Sequence, residues 1–311
     1  ALPIFSGGGA TIVDREGRRY LDATGGLWFA DVGFGREEIG AAVAAQMTRL
    51  HAYSSFGAYV VDIGLELADR LAASAPIPDA KVFLASGGSE GVETAAKLVR
   101  RYWDAVGRPG RQTIVTREFS YHGMAAYGTA LAGIAPNREG YGGQLVADVE
   151  IVPAMDVDAV RALFEAHGER IGAFFGEPVI GAGGVYAPPD GYWPAIAELC
   201  RRHDVLLVAD EVVTGFGRTG TPFAIDRWGV VPDMIAMGKG ISGGYAPLGA
   251  VAVREPHRDA FRRSGSSFEH IFTFGGNPVS MAAGLAVLDI LDREGLLTRA
   301  AAMEPAFRAA L

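Results

Sequence analysis

The chain is 311 residues long, 49% hydrophobic and 21% charged, with a net charge of −8; this is the composition of a packed globular protein with room for one large domain or two. The acidic balance argues against a nucleic-acid binder, which needs clustered Lys and Arg to meet phosphates, and no run of about 18 apolar residues is present to form a transmembrane helix. Cys200 is the only cysteine, which excludes an internal disulfide and a Cys-based zinc site and suits a reducing cytoplasm.

The first residues, ALPIFSGGGATIVD, hold neither a basic run nor a long apolar core, so no signal peptide is expected. Thr11-Ile12-Val13 and Arg19-Tyr20-Leu21 flank the turn-rich Asp14-Arg15-Glu16-Gly17 and predict a hairpin. Ile39, Val43, Gln46/Met47 and Leu50 stand near helical spacing and predict a helix over 36–50. From about residue 60, apolar runs alternate with helical patterns. Strands are expected at 82–86, 113–117, 149–152, 171–176, 205–209, 234–237 and 248–253, with helices at 92–106, 157–167, 192–203 and 279–292 among them. That order implies an α/β layered domain on a mostly parallel sheet, with strands covered on both faces. In such sheets ligands bind at the carboxyl ends of the strands. The 43 glycines cluster in short loops, without an internal repeat or low-complexity tract.

Four post-strand segments can carry chemistry. Ser86-Gly87-Gly88-Ser89-Glu90 precedes a helix expected to begin near Gly91. It reads as a phosphate cradle of close-approaching backbone and free helix N–H groups, or as a strand–helix turn with Ser as N-cap. Asp210-Glu211 ends the run Val205–Ala209. Two carboxylates there need partners if buried, and one can hold a protonated ring nitrogen; otherwise they are solvated at a sheet edge. Lys239, between Gly238 and Gly240 after an apolar strand, reads as a half-buried amine able to form a Schiff base, or as a snorkelling surface lysine. Phe272-Thr273-Phe274-Gly275-Gly276-Asn277-Pro278 offers the Thr273 hydroxyl before a helix, or is a plain loop. Gly238, Gly240 and Gly243 match the dinucleotide fingerprint G-x-G-x-x-G, but Pro247 and the next strand follow too soon for the helix that fingerprint requires. No paired Cys/His spacing or H-E-x-x-H occurs, so no metal is expected. Together the four segments meet the needs of pyridoxal 5'-phosphate (PLP): a lysine, a carboxylate for the pyridine nitrogen and a phosphate anchor.

The segments GGSEGVETAAKLVRRYW, SYHG, GEPVIGAGGV, ADEVVTGFGRTG, PDMIAMGKGISGGYAPLGA and FTFGGNPVS stand in the order seen in the class III PLP-dependent aminotransferases, and over most of its length the chain resembles that family. The resemblance implies the PLP fold type I: a seven-stranded, mostly parallel large domain over 51–290, part of a small domain over 1–50, and the start of a C-terminal segment over 291–311 that the sequence cuts short before the family's C-terminal arginine. It implies Lys239 as the Schiff-base lysine, Asp210 on the pyridine nitrogen, Val212 and Tyr121 against the ring, and Gly88 and Ser89 on the phosphate. Phe272 and Thr273 would complete the phosphate site from the other subunit of a homodimer, Glu177 would be the carboxylate able to pair with that arginine, and His122 would be structural or contact the cofactor edge. Gly26-Leu27-Trp28 resembles the ω-amino acid and amine:pyruvate branch, with Trp28, Tyr121 and Ala182 shaping the substrate pocket. The expected activity is transfer of an amino group from an amine or ω-amino acid to pyruvate or another 2-oxo acid. An aminomutase, a decarboxylating transaminase or an inactive PLP-binding fragment stand as alternatives.

Overall fold

The structure, a computed structural model, describes residues 2–143 and 145–310. The N-terminal hairpin is present as β2 (Thr11–Asp14) and β3 (Arg19–Leu21), and it carries a third antiparallel strand, β1 (Ile4–Gly8). Asp14 closes the turn. Its carboxylate accepts from the Glu16 and Arg18 amides, Arg18 Nε and Tyr20 Oη at 2.8–3.0 Å. An irregular turn, α1 (Gly25–Trp28), and two helices, α2 (Glu37–Arg49) and α3 (Asp62–Ser74), lead to the main sheet.

The seven expected strands form one sheet. In chain order they are β4 (Lys81–Ala85), β5 (Thr113–Arg117), β6 (Val149–Val152), β7 (Ile171–Gly176), β8 (Leu206–Asp210), β9 (Met234–Met237) and β10 (Gly249–Val253), arranged β4-β10-β9-β8-β7-β5-β6. Strand β10 runs antiparallel to both neighbours and the remaining pairs are parallel. The helices between and after them are α4 (Gly88–Ala105), α5 (Ala126–Ala130), α6 (Val157–His167), α7 (Tyr192–His203), α8 (Glu255–Ser264), α9 (Pro278–Arg293) and α10 (Leu296–Ala310). The central strands are buried on both faces, which is why they read as unbroken apolar runs. On one face α4 sets Val92, Ala95, Ala96, Val99 and Trp103 against Val208, Ala236 and Val251. On the other, Phe174, Ile235 and Met237 belong to a core with Trp193 and Ile196 of α7 and Met281, Val287 and Ile290 of α9.

Helix starts follow their local chemistry. Asp156 caps α6 by accepting from the Ala159 amide at 2.9 Å. Asn277 caps α9 through the Val279 and Ser280 amides, with Pro278 in the first turn where a missing N–H costs nothing. One boundary differs from expectation in a way that matters: α4 begins at Gly88, inside the glycine loop, rather than near residue 92. The N-terminal helices pack on α9, rimmed by ion pairs of Arg36 with Glu294, Arg293 with Glu38, and Arg70 with Asp289 and Asp292. Among the described residues no helix is long and apolar enough to cross a membrane.

Candidate active site

A cavity of about 140 Å³ opens at the carboxyl ends of the parallel strands. Each of its polar groups comes from the end of a strand or from the segment that follows one. Behind β4, Gly87 is the N-cap of α4 and makes no side-chain cap bond, so Ser89 stands in the first helical turn and is not the cap. Gly88 and Ser89 both line the cavity, and first-turn amides lack intrahelical acceptors and attract anions. After β5 come Tyr121, His122 and Gly123; after β7, Glu177; at the end of β8, Asp210 with Val212 and Val213; after β9, Lys239.

The pleat of β8 separates the two adjacent carboxylates. Asp210 lines the cavity, and its Oδ1 accepts from the Val212 amide at 3.0 Å while Oδ2 pairs with His122 Nδ1 at 2.7 Å. Glu211 turns away into the core, where the Thr214 hydroxyl and the Ile225 amide donate to it. Full burial raises its carboxyl to about 7 against the opposing pull of those donors. Neither is a solvated edge carboxylate, because successive side chains of a covered strand point to opposite, buried faces.

Lys239 is half-buried and follows Gly238 with φ +44°, a left-handed conformation that costs a non-glycine residue about 1–3 kcal/mol and is found where the surroundings impose it. Among the described residues its Nζ has no hydrogen-bond or ion-pair partner. Burial holds its pKa below the ordinary lysine value, while Asp210 and Glu177 pull the other way. The short 3₁₀ turn at Lys239–Ser242 replaces the α-helix that a dinucleotide site would need. Glu177 is buried and accepts from the Tyr121 amide at 3.1 Å and the Gly181 amide at 3.0 Å. Desolvation raises its pKa, with the His122 ring opposing.

Thus the fold brings together Gly88, Ser89, Tyr121, Glu177, Asp210, Val212 and Lys239. Trp28, Ala182, Phe272 and Thr273 do not line this cavity. Ala182 and Thr273 are exposed, and Phe272 and Thr273 line a separate hollow with Tyr53, Ser54 and Ser55, close to the end of β4. His122, read from sequence as structural or at the cofactor edge, lines the cavity and binds Asp210 directly. Its place beside Tyr121 after a strand was the available signal. The lone amine, the hydrogen-bonded carboxylate and the helix N-terminus can together hold a molecule bearing an aldehyde, a basic ring nitrogen and a phosphate.

The aminotransferase class-III family profile matches residues 2–311. A probable aminotransferase of Mycobacterium tuberculosis is 40% identical over 325 residues, covering 99% of this chain and 70% of that protein. An omega-amino acid–pyruvate aminotransferase of Pseudomonas putida is 35% identical, covering 99% and 74%. Among solved structures, an (S)-enantioselective omega-transaminase from Thermomicrobium roseum superposes with a TM-score of 0.94 at 40% identity, covering 98% of this chain and 72% of its own.

Proposed function

Since the chain belongs to the class-III aminotransferases, a PLP-dependent family, we propose that it moves an amino group from an amine or ω-amino acid to pyruvate or another 2-oxo acid. The observation that carries this reading is the meeting of Lys239, Asp210 and the N-terminus of α4 in one cavity. The acceptor and the amine class rest on the relatives named for omega-amino acids and pyruvate and on the omega-transaminase likeness.

The residues fit the cofactor's three demands. The first-turn amides of α4 with the Ser89 hydroxyl suit its phosphate. The Val212 amide and the His122 ring hold Asp210 with its carboxylate at the cavity wall, where it would pair with the pyridine nitrogen. Lys239 offers the amine. When bound, PLP supplies an aldehyde and an electron-accepting ring. Lys239 Nζ would hold the aldehyde and would serve as the base for the proton at the substrate Cα; its lowered pKa enlarges the neutral fraction that can do so. Tyr121 and Val212 offer apolar surface to the ring. Glu177 is the carboxylate available to an arginine. We assign Trp28 and Ala182 to the outer wall of the substrate pocket, and Phe272 and Thr273 to the phosphate site of a second copy in a homodimer with shared sites.

Titration with PLP tests the reading. The expected result is an absorbance band of lysine-bound cofactor that Lys239→Ala abolishes, followed by alanine formation from pyruvate with amine or ω-amino acid donors. A protein that shows no band at saturating PLP refutes it. A band without alanine from any such donor refutes the choice of acceptor.

A further inference from the structure

The left-handed backbone of Lys239 needs neighbours that impose it, and the turn around it is pressed from two sides. Its four glycines mark the contacts. A Cβ on Gly238 would stand 2.9 Å from Gly88 Cα at the start of α4. On the other side, a Cβ on Gly240 would collide with Asp31 Oδ2, one on Gly243 would stand 3.1 Å from Val32 Cγ2, and one on Gly244 would collide with the Phe29 ring. Gly238, Gly240 and Gly243 are the set that matches the dinucleotide fingerprint in the sequence. Their use here is close packing, because α4 on one side and the segment 29–32 on the other leave the turn no room for side chains.

That segment is fastened by one side chain. Arg218 Nη2 donates both to Asp31 Oδ1 and to the Trp28 carbonyl, the latter at 3.2 Å. The base of Arg218 is tied down, since the Phe216 amide donates to the Pro222 carbonyl at 2.7 Å and Arg227 Nη1 to the Thr219 carbonyl at 2.8 Å. The Asp31 side chain is 7% exposed, against 33% for Arg218. Its Oδ2 is cut off from water and among the described residues has no hydrogen-bond partner. Burial pushes the Asp31 carboxyl up to about 7, and Arg218 is the group that pulls against it. A carboxylate left bare in such a place is costly, so the placement of Asp31 against Gly240 depends on the guanidinium beside it.

We infer that Asp31 and Arg218 are positioning residues for Lys239: as an ion pair they clamp the segment 28–32 onto Gly240, and that contact, opposed by Gly88 on Gly238, holds Lys239 in its left-handed conformation with its side chain at the cavity. Strained backbone persists only where its surroundings over-determine it, and here they do so from both sides of one residue. The clamp acts on Lys239 by contact. The charges that act on its Nζ are Asp210 and Glu177. The consequence for transamination rests on the proposed role of Lys239, whereas the clamp itself does not.

Trace acetylation of Lys239 with acetic anhydride in the cofactor-free protein, followed against pH by peptide mass spectrometry, tests this. Burial lowers the Lys239 pKa from 10.5, so a turn released from its clamp exposes Nζ and raises the midpoint of labelling. Arg218→Met and Asp31→Asn should each raise it by about one unit, and Arg218→Lys should keep the parent's midpoint. The first two variants remove opposite charges, so a plain electrostatic effect would move the midpoint in opposite directions. Opposite shifts, or a midpoint unchanged in either variant, overturn the inference. In the PLP-loaded protein Arg218→Met should lower kcat about ten-fold and Arg218→Lys should restore it; an unchanged kcat in Arg218→Met overturns the positioning role. A parent protein that forms no lysine-bound cofactor refutes the functional reading instead, and the labelling still decides the clamp.

Discussion

Gly249 opens β10 opposite Ala85, far in sequence from the phosphate-binding turn but packed against it. A Cβ at this position would stand 2.2 Å from the Gly87 carbonyl oxygen and 2.4 Å from its carbon, where ordinary contact begins at 3.4 Å. Gly249→Ala must therefore displace the Gly87 backbone by about 1.2 Å or push out a central strand held between β4 and β9. The first is the smaller rearrangement. That same carbonyl accepts from the Gly91 amide at 3.0 Å to start α4, so the first turn moves with it and the Gly88 and Ser89 amides lose their aim. Each charge-assisted bond lost to a phosphate is worth about 1.5–3 kcal/mol. We expect PLP affinity to fall about ten- to a hundred-fold, with an overpacking cost of about 1–3 kcal/mol in stability. Titration of the cofactor absorbance gives the first quantity and urea unfolding of the cofactor-free protein gives the second. Wild-type PLP affinity in a folded Gly249→Ala protein would show that the α4 N-terminus does not hold the phosphate.

Lys239→Ala should lower transamination by at least about 10²-fold, the scale of a lost general base, while leaving the cofactor-free protein folded; initial rates and circular dichroism check both. The buried Glu211 carboxyl is raised to about 7 from 4.5. Between those values the folded state holds more protons than the unfolded state, so this group's contribution to stability falls as pH rises through that window. Glu211→Gln should flatten that part of the stability–pH profile in urea unfolding series, and an unchanged slope would contradict the assignment. The depressed Lys239 has the opposite linkage. Unfolded chains bind the extra proton, so its contribution grows as pH rises from its folded value toward 10.5, and Lys239→Met should remove that rise. If active sites are shared between copies, Lys239→Ala and Thr273→Ala proteins mixed and reassociated at limiting PLP should recover activity. Random pairing yields about one intact site in four, and no recovery above the separate proteins would place Thr273 outside its partner's site.

What the sequence determined by itself was whatever is written locally. The central runs became β7, β8, β9 and β10 because a strand covered on both faces is largely apolar, while the edge strands β4 and β6 kept enough apolar residues to be read despite the exposed Lys81 and Glu150. Lys239, Asp210 and the Gly88-Ser89 turn were legible because each directly follows such a run, and the carboxyl ends of parallel strands converge. β1 was not legible: IFSGG is exposed throughout and has no alternation to betray it, and only pairing with β2 makes it a strand. Helix α4 begins earlier than its apolar pattern does, because Gly87 and Gly88 are admitted to the helix start by packing near Val212 and Gly249 rather than by propensity. Which of Asp210 and Glu211 faces the cavity depends on the pleat register of β8 within the sheet, and no adjacent-residue pattern records it. The partnership of His122 with Asp210 joins residues 88 apart in sequence. Such a contact exists only after β5, β7 and β8 have paired, since it is their shared sheet spacing that brings a ring from one loop to within 2.7 Å of a carboxylate on another strand.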